Sequence, residues 1–262
     1  MKIACTDANQ YVTDNKRWTN HLVQLGIPGM EIAVARLPES QEGLDEVISY
    51  ACAKGLAVNL HAPFGINNIA AADDELREFS INNVLRSIDL SAKYGLGVVT
   101  FHPGRLSGDD DSAEATWARM WDAVTRIANH AKEKQVYVAI ENMERRPYEL
   151  VFTVEDLNLF APFGENNPYF GVTIDFAHYA SHGIGLPELG KLKLPIHDVH
   201  LSQLTNGIMH SQLQELHGTP DITEVCRLLA DYGYKGLLVL EVGPQVQESA
   251  ETLAEALKLL KL

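Results

Sequence analysis

The stretch KYGLGVVTFHPG, residues 93–104, contains a helix end, a glycine, a short apolar strand and a histidine in succession. Gly95 is typical of the position just beyond a helix, because glycine adopts the left-handed conformation found there without steric cost. The run GVVTF is rich in β-branched and aromatic residues, which favour strands. A helix followed at once by a strand indicates an alternating α/β fold, with His102 at the strand end.

The same unit recurs along the chain. The junctions QLGIPGMEI, AKGLAVNL and DYGYKGLLV also carry a glycine near a predicted helix end. Between the predicted strands lie segments of helical period, at 74–95, 116–134 and 248–262. The eight predicted strands are KIACT, MEIAVA, LAVNLHAP, GVVTFHPG, VYVAIENM, FGVTIDFAH, IHDVHLS and GLLVLEVG.

Eight strand–helix units in 262 residues favour a single α/β domain over residues 1–262, a (β/α)8 TIM barrel. The strands read as almost continuously apolar, as expected for parallel strands covered on both faces. A doubly wound open sheet is the alternative. That fold usually has a glycine-rich phosphate loop after its first strand, and the segment CTDANQYVTDNKRW contains none.

Composition limits the partners and the compartment. The formal net charge of −14 argues against a nucleic-acid partner, because such partners are usually bound through their phosphates by basic surfaces. Cys5, Cys52 and Cys226 are far apart and odd in number, which indicates a reducing compartment without a disulfide framework. The N-terminus turns polar at once, and no apolar run approaches the roughly 18 residues of a membrane span. We therefore expect a cytoplasmic protein.

Six consecutive predicted strands end in residues of metal-ligand type. In a (β/α)8 barrel these strand ends meet at one mouth, where active sites lie. Any single histidine could be structural, and a single carboxylate could cap a helix. Several carboxylates at one mouth, however, repel one another unless a cation compensates them. The residues are His61, His102, Glu141, Asp175 with His178, His200 and Glu241.

The donor set of Glu141, Asp175, His200 and Glu241 predicts a divalent metal: Mn²⁺, Mg²⁺, Co²⁺ or Zn²⁺. Their intervals, together with the segments NLHAPFGIN, TFHPG, IENM, TIDFAH and VHLS, resemble the xylose-isomerase-like TIM-barrel superfamily. That superfamily includes sugar and sugar-phosphate isomerases and epimerases, and also endonuclease IV. The resemblance covers nearly the whole chain. It implies a small-molecule sugar or sugar phosphate as substrate, and homodimers are common among such relatives.

The resemblance also implies roles for the ligands. Glu141 and Glu241 would be an acid–base pair that moves a proton through an enediolate, while Asp175 and His200 mainly fix the metal. His178 would orient a substrate hydroxyl or a ligand water. A hydride shift is less favoured, because no lysine ends the fifth or sixth strand.

Two further histidines have alternative interpretations. His61 and His102 either bind a second metal bridged by Glu141, which would make two metals per chain, or form polar walls of the pocket.

Endonuclease IV enzymes carry nine ligands for three zinc ions, and this chain matches seven. An ungapped comparison puts Gln212 and Gln214 at the remaining positions, whereas a shifted one puts Glu215 and His217 there. Glutamine is a weak ligand, so the third zinc would lose its main support. The family's Asn-Asp-Ser-Lys run is also replaced by SQLT, residues 202–205. We therefore favour the sugar enzyme. An abasic-DNA phosphodiesterase and a catalytically silent binding barrel remain the alternatives.

Substrate contacts are less well encoded. Asn142 is predicted to support the metal ligands or to contact substrate, and His217 is a further candidate contact. The sequence gives His210 no partner. Several arginines follow the strands on the side of the loops and could clamp a phosphate or carboxylate, or be solvated loop charges. These are Arg36, Arg105, Arg145 and Arg146.

Overall fold

Eight parallel strands close into a barrel in the computed structural model, which describes residues 1–8, 14–36, 40–214, 217–243 and 245–262. Around the barrel the order is β1-β10-β7-β6-β5-β4-β3-β2, and β2 pairs with β1 to close the ring. The predicted (β/α)8 barrel is therefore confirmed. The barrel strands are β1 (Lys2–Thr6), β2 (Gly29–Ala33), β3 (Ala57–His61), β4 (Val99–Phe101), β5 (Val138–Glu141), β6 (Phe170–Asp175), β7 (Ile196–Leu201) and β10 (Leu237–Leu240).

Helices surround the barrel, and a short antiparallel hairpin follows β7. The hairpin strands are β8 (Gln203–Thr205) and β9 (Ile208–Ser211). The helices are α1 (Asn15–Gln24), α2 (Gln41–Ala53), α3 (Asp74–Tyr94), α4 (Ala113–Lys134), α5 (Val154–Asn158), α6 (Phe176–Ser181), α7 (Ile222–Tyr232) and α8 (Val246–Leu259). Gly95 caps α3 with φ 63°, in the left-handed region, as the sequence predicts.

Strand alternation divides the side chains between two environments. Residues such as Val99, Phe101 and Ile140 belong to the large apolar core in which the helices also participate. The alternate residues point into the barrel, where side chains from strands that are not neighbours contact one another. Asn59 on β3 donates a hydrogen bond of 2.6 Å to Asp198 on β7, although these strands are not neighbours.

The interior of the barrel is layered. Near the N-terminal ends of the strands it is apolar, and Ala4, Leu237 and Val239 form a small cluster there. The middle is polar, and it contains the Thr100–Thr173 hydroxyl pair at 2.8 Å. The expectation of strands apolar on both faces therefore holds for the outer face of the strands. Their inner face is polar from the middle of the barrel to its C-terminal mouth. On a strand, the residue two positions beyond this polar layer also faces inward, and it lies at the mouth of the barrel.

Two local predictions differ from the structure. The run FGVTIDFAH is not one strand, because β6 ends at Asp175 and α6 begins at Phe176. The Asp175 side chain accepts the backbone N–H of His178 and so caps this helix. The β8–β9 hairpin was not predicted. Among the described residues, no helix is both long enough and apolar enough to cross a membrane.

The packing of α8 yields a stability prediction. Leu253 is fully buried and Leu259 is 75% exposed on the same helix. We expect Leu253→Ala to lower the free energy of unfolding by about 2–5 kcal/mol, because it leaves a cavity. The matched control Leu259→Ala should change it by no more than about 0.5 kcal/mol. Chemical denaturation measures both values, and equal effects would contradict the packing of this face on the barrel.

Candidate metal centre

The four predicted metal ligands converge at the C-terminal mouth of the barrel. Glu141, Asp175 and His200 lie on β5, β6 and β7, and Glu241 follows β10. Each offers a ligand atom, and these atoms all lie within 4.8 Å of one another. Strand alternation explains the convergence, since Ala139, Thr173 and Asp198 precede the first three by two positions. The four residues thus form one cluster, although their role as ligands stays a prediction.

His200 is at the centre of this cluster. Its Nδ1 atom lies 3.0 Å from Glu141 Oε1 and 3.5 Å from Glu241 Oε1. Its Nε2 atom faces the opposite way and lies 3.1 Å from Glu31 Oε2. His200 and Glu31 are both fully buried. One imidazole therefore contacts three carboxylates, at both of its nitrogen atoms.

Glu31 is a site residue that sequence reasoning missed. It lies within β2, where the run MEIAVA was interpreted only as an apolar strand. The available signal was the charge itself, because a glutamate inside a strand buried on both faces is costly unless it is paired. His200 is the partner that the structure provides.

The electrostatics of the cluster follow from these contacts. Burial alone would lower the pKa of His200, but Glu31, Glu241 and Glu141 raise it well above the ordinary value. Burial alone would raise the pKa of Glu141, but the charge of His200 and the imidazoles of His102 and His61 bring it well below its usual value. Burial raises the pKa of Glu241. The ionisation of the carboxylates at the mouth thus depends on positive charge beside them.

The polar atoms of the cluster fit a divalent cation. Asp175 Oδ2 is buried and has no hydrogen-bond partner among the described residues. A buried carboxylate oxygen without a partner is energetically costly, and metal coordination is one way of satisfying it. Three carboxylates with one imidazole form the mainly oxygen donor set that Mn²⁺, Mg²⁺, Co²⁺ or Zn²⁺ accept. The donors present are therefore compatible with the predicted metal.

His61 and His102 flank Glu141 on the side away from His200. Their Nε2 atoms lie 3.5 Å and 3.2 Å from Glu141 Oε2. The three side chains form a second group with metal-ligand spacing, and all three line the cavity at the mouth. This placement is compatible with both interpretations of the two histidines, as a second metal site and as pocket walls.

Asn142 and His178 hold the ends of β5 and β6 together. The Asn142 amide donates to the carbonyl of Asp175 and accepts its N–H, both at 2.9 Å. His178 Nδ1 donates to the carbonyl of Asn142 at 2.7 Å, which leaves Nε2 without its proton in the neutral ring. Asn142 is fully buried and lies outside the cavity lining, whereas His178 lines the cavity. The position of Asn142 suits support of Asp175 rather than contact with substrate.

The mouth opens into a cavity of about 610 Å³. Glu141 and Glu241 both line it, while Asp175 and His200 lie beneath. The β8–β9 hairpin contributes His210, whose Nδ1 lies 3.6 Å from Glu241 Oε2 and which has φ 56°. This histidine had no partner at the level of sequence, because the hairpin that brings it to the mouth was not predicted.

The predicted anion-binding arginines do not all reach the cavity. Arg105 donates to the backbone carbonyls of Gly65 (2.8 Å) and Asn67 (3.1 Å), and Arg145 is exposed. Neither lines the cavity. Arg146 does, and its guanidinium forms an ion pair with Glu144. The side chain of Arg36 lies outside the described residues.

Gln212 and Gln214, two of the candidate third-metal positions, do not line the cavity. The side-chain amide of Gln212 is 2.7 Å from Ser249 Oγ, and Gln214 Oε1 accepts a hydrogen bond of 3.0 Å from the same hydroxyl. Both glutamines thus attach their loop to α8. His217 is exposed and does not line the cavity, and Glu215 lies outside the described residues.

The chain is similar to curated proteins from several microorganisms. It is 25% identical over 186 residues to an uncharacterized protein of Methanocaldococcus jannaschii, covering 71% of this chain and 66% of that protein. It is 23% identical over 165 residues to a probable endonuclease 4 of Acholeplasma laidlawii, covering 62% of this chain and 54% of the relative. The chain therefore spans between about half and two thirds of the length of these relatives.

Solved structures share the fold over nearly the whole chain. A D-tagatose 3-epimerase-like protein has a TM-score of 0.84 at 20% identity, covering 100% of this chain and 98% of that chain. A D-psicose 3-epimerase from Clostridium cellulolyticum, solved with D-tagatose, has a TM-score of 0.76 at 18% identity, with 99% and 98% covered. At such identities the likeness establishes the fold.

The family is shown by a sequence model described as xylose isomerase-like TIM barrel, which matches residues 20–262. The match includes every strand that contributes to the cluster at the mouth. The resemblance inferred from the strand-end motifs is confirmed: the chain belongs to the family of xylose isomerase-like TIM barrels.

Proposed function

We propose that the protein is a divalent-metal-dependent isomerase or epimerase of sugars. The observation that carries the proposal is the cluster of Glu141, Asp175, His200 and Glu241 at the floor of a cavity at the barrel mouth. The barrels of similar fold that are described as D-tagatose-like and D-psicose 3-epimerases support a sugar as substrate. A compartment in the cytoplasm and a homodimer stay predictions from the sequence.

The four residues would hold the cation. When bound, the cation would polarise neighbouring oxygens of an open-chain sugar and make the adjacent C–H more acidic. Asp175 and His200 lie beneath the cavity, so their role is to bind and fix the cation. Glu141 and Glu241 line the cavity and can also reach a substrate.

Glu141 and Glu241 would transfer protons on different sides of a substrate. They come from β5 and from the end of β10, which are three positions apart around the eight-stranded ring. One carboxylate can remove a proton from the sugar carbon while the other returns a proton to its opposite face. His178 is fixed through its Nδ1–H, so its Nε2 is the ring atom that can contact a substrate hydroxyl.

The first prediction concerns the metal. The protein stripped with a chelator should exchange no carbon-bound hydrogen of a ketose for deuterium from solvent, and Mn²⁺ or Co²⁺ should restore the exchange. The measurement is proton NMR of a ketose and aldose panel in D₂O, with elemental analysis of the same samples. A metal-loaded protein that exchanges no hydrogen in any sugar of the panel would contradict the proposed activity.

The second prediction concerns the acid–base pair. Glu241→Gln should lower the rate of exchange or product formation by about 10²–10⁴-fold, because the amide cannot transfer the proton. Glu141→Gln should have an effect of similar size and should also weaken metal binding. Glu255→Gln, on the exposed face of α8, is the control and should retain full activity. Wild-type turnover in both site variants would remove the glutamates from the mechanism.

A second candidate function is phosphodiester cleavage at abasic sites. The observation in its favour is the group of His61, His102 and Glu141, together with similarity to probable endonuclease 4 proteins. The attachment of Gln212 and Gln214 to Ser249 argues against a third metal at those positions. Incubation of zinc-loaded protein with an abasic duplex separates the two functions, and the sugar-enzyme proposal expects no cleavage.

A further inference from the structure

Glu31 is a fully buried carboxylate that the proposed mechanism does not use. It lies on β2, on the other side of His200 from the cavity, and does not line the cavity. Its Oε2 atom is 3.1 Å from His200 Nε2, with both side chains fully buried. A carboxylate buried at this depth is costly unless its contact with the histidine compensates it.

We propose that Glu31 is a positioning residue for the candidate metal centre. Its carboxylate accepts the Nε2–H of His200 and so leaves Nδ1 as the nitrogen that binds the cation. This inference rests on the proposed function, because it assumes that His200 is a metal ligand. It adds a residue that neither the ligand set nor the acid–base pair contains.

The orientation of the imidazole supports this assignment. Nδ1 faces the other candidate ligands, at 3.0 Å from Glu141 Oε1 and 3.5 Å from Glu241 Oε1. A neutral imidazole has one protonated and one unprotonated nitrogen, and the partner of the protonated nitrogen selects the tautomer. A carboxylate on Nε2 selects the tautomer whose Nδ1 lone pair points toward Glu141 and Glu241.

The surroundings hold Glu31 in place. β2 pairs with β3, where Glu31 is in register with Asn59, and Asn59 donates to Asp198 at 2.6 Å. Asp198 is two residues before His200 on β7, and its backbone neighbour Val199 donates to its Oδ1 at 2.9 Å. The carboxylate and the imidazole are therefore carried by two strands whose side chains meet inside the barrel, and both side chains are fully buried there.

A cation could instead be held on the other side of the His200 ring. Glu31, Asp198 and His200 also have metal-ligand spacing, and Glu31 Oε1 is buried without a hydrogen-bond partner among the described residues. A cation seated there would use Nε2 of His200 rather than Nδ1. The protonation of the ring in the metal-loaded protein therefore distinguishes the two arrangements.

The test compares metal affinity in three variants with that of the wild type. Zn²⁺ and Mn²⁺ dissociation constants are measured by competition with a chelating indicator. Glu31→Gln should weaken binding by about 10- to 100-fold, the usual effect of losing the partner of a ligand histidine. Glu149→Gln removes another buried carboxyl at the same end of the barrel and should leave the affinity unchanged. Glu141→Gln removes a ligand and tests the metal centre itself.

The outcomes separate the two proposals. Weaker binding in both Glu141→Gln and Glu31→Gln supports the inference. An effect of Glu141→Gln alone overturns the role of Glu31 and leaves the proposed function intact. No effect of Glu141→Gln, or no metal bound by the wild type, overturns the metal centre and the inference with it.

A second measurement uses the wild type alone, so it does not require any variant to fold. Long-range ¹H–¹⁵N correlation spectra of the zinc-loaded wild type report which nitrogen of His200 carries the proton. We expect a proton on Nε2 and zinc on Nδ1. The reverse pattern would overturn the assignment of Glu31, even if the affinity of Glu31→Gln were reduced by a general loss of stability.

Discussion

The contact of one buried imidazole with three carboxylates is the constraint on which the upper half of the barrel depends. Glu31, Glu141 and Glu241 approach His200 from three strands, and each would be costly to bury alone. Without a metal, protonated His200 can supply the positive charge between them. With a cation bound, the cation would supply that charge and satisfy the carboxylate oxygens that remain unpaired, while His200 would be the neutral ligand. Burying these ionisable groups close together costs free energy of folding, and such clusters are also where catalytic sites are found.

Strand geometry brings these groups together. Side chains on a strand alternate, so the residues that fill the outer core fix which residues enter the barrel. Val138 and Ile140 pack in the apolar core, and Glu141 is therefore directed inward at the end of β5. Asn59, Thr100, Thr173 and Asp198 fill the middle of the barrel and satisfy one another with hydrogen bonds. This polar layer lies between the apolar base of the barrel and the charged mouth.

The sequence was sufficient to predict the barrel, because the glycine junctions and the apolar strands repeat along the chain. It was also sufficient to predict that the strand-end residues lie together, since a barrel brings all its strand ends to one mouth; their roles stay predictions. It did not identify Glu31, because an isolated charge inside an apolar run has no partner until the strands are closed into a ring. His210 was missed for a different reason. The β8–β9 hairpin that carries it has short strands and weak strand signals, and only its packing over the mouth gives the histidine a partner.

Two departures from the endonuclease IV pattern, at 202–205 and at Gln212 with Gln214, follow β7, and the structure gives the second one a physical basis. Gln212 and Gln214 both contact the hydroxyl of Ser249, whose Oγ also accepts the N–H of Leu213 at 3.2 Å. Three consecutive residues of the loop thus converge on one serine at the first turn of α8. The two glutamine side chains do not line the cavity, and their contacts attach this part of the loop to α8. The cavity is instead lined by strand-end residues such as Glu141 and by His210 of the β8–β9 hairpin, and this supports the proposed chemistry on a small molecule held above the four-residue cluster.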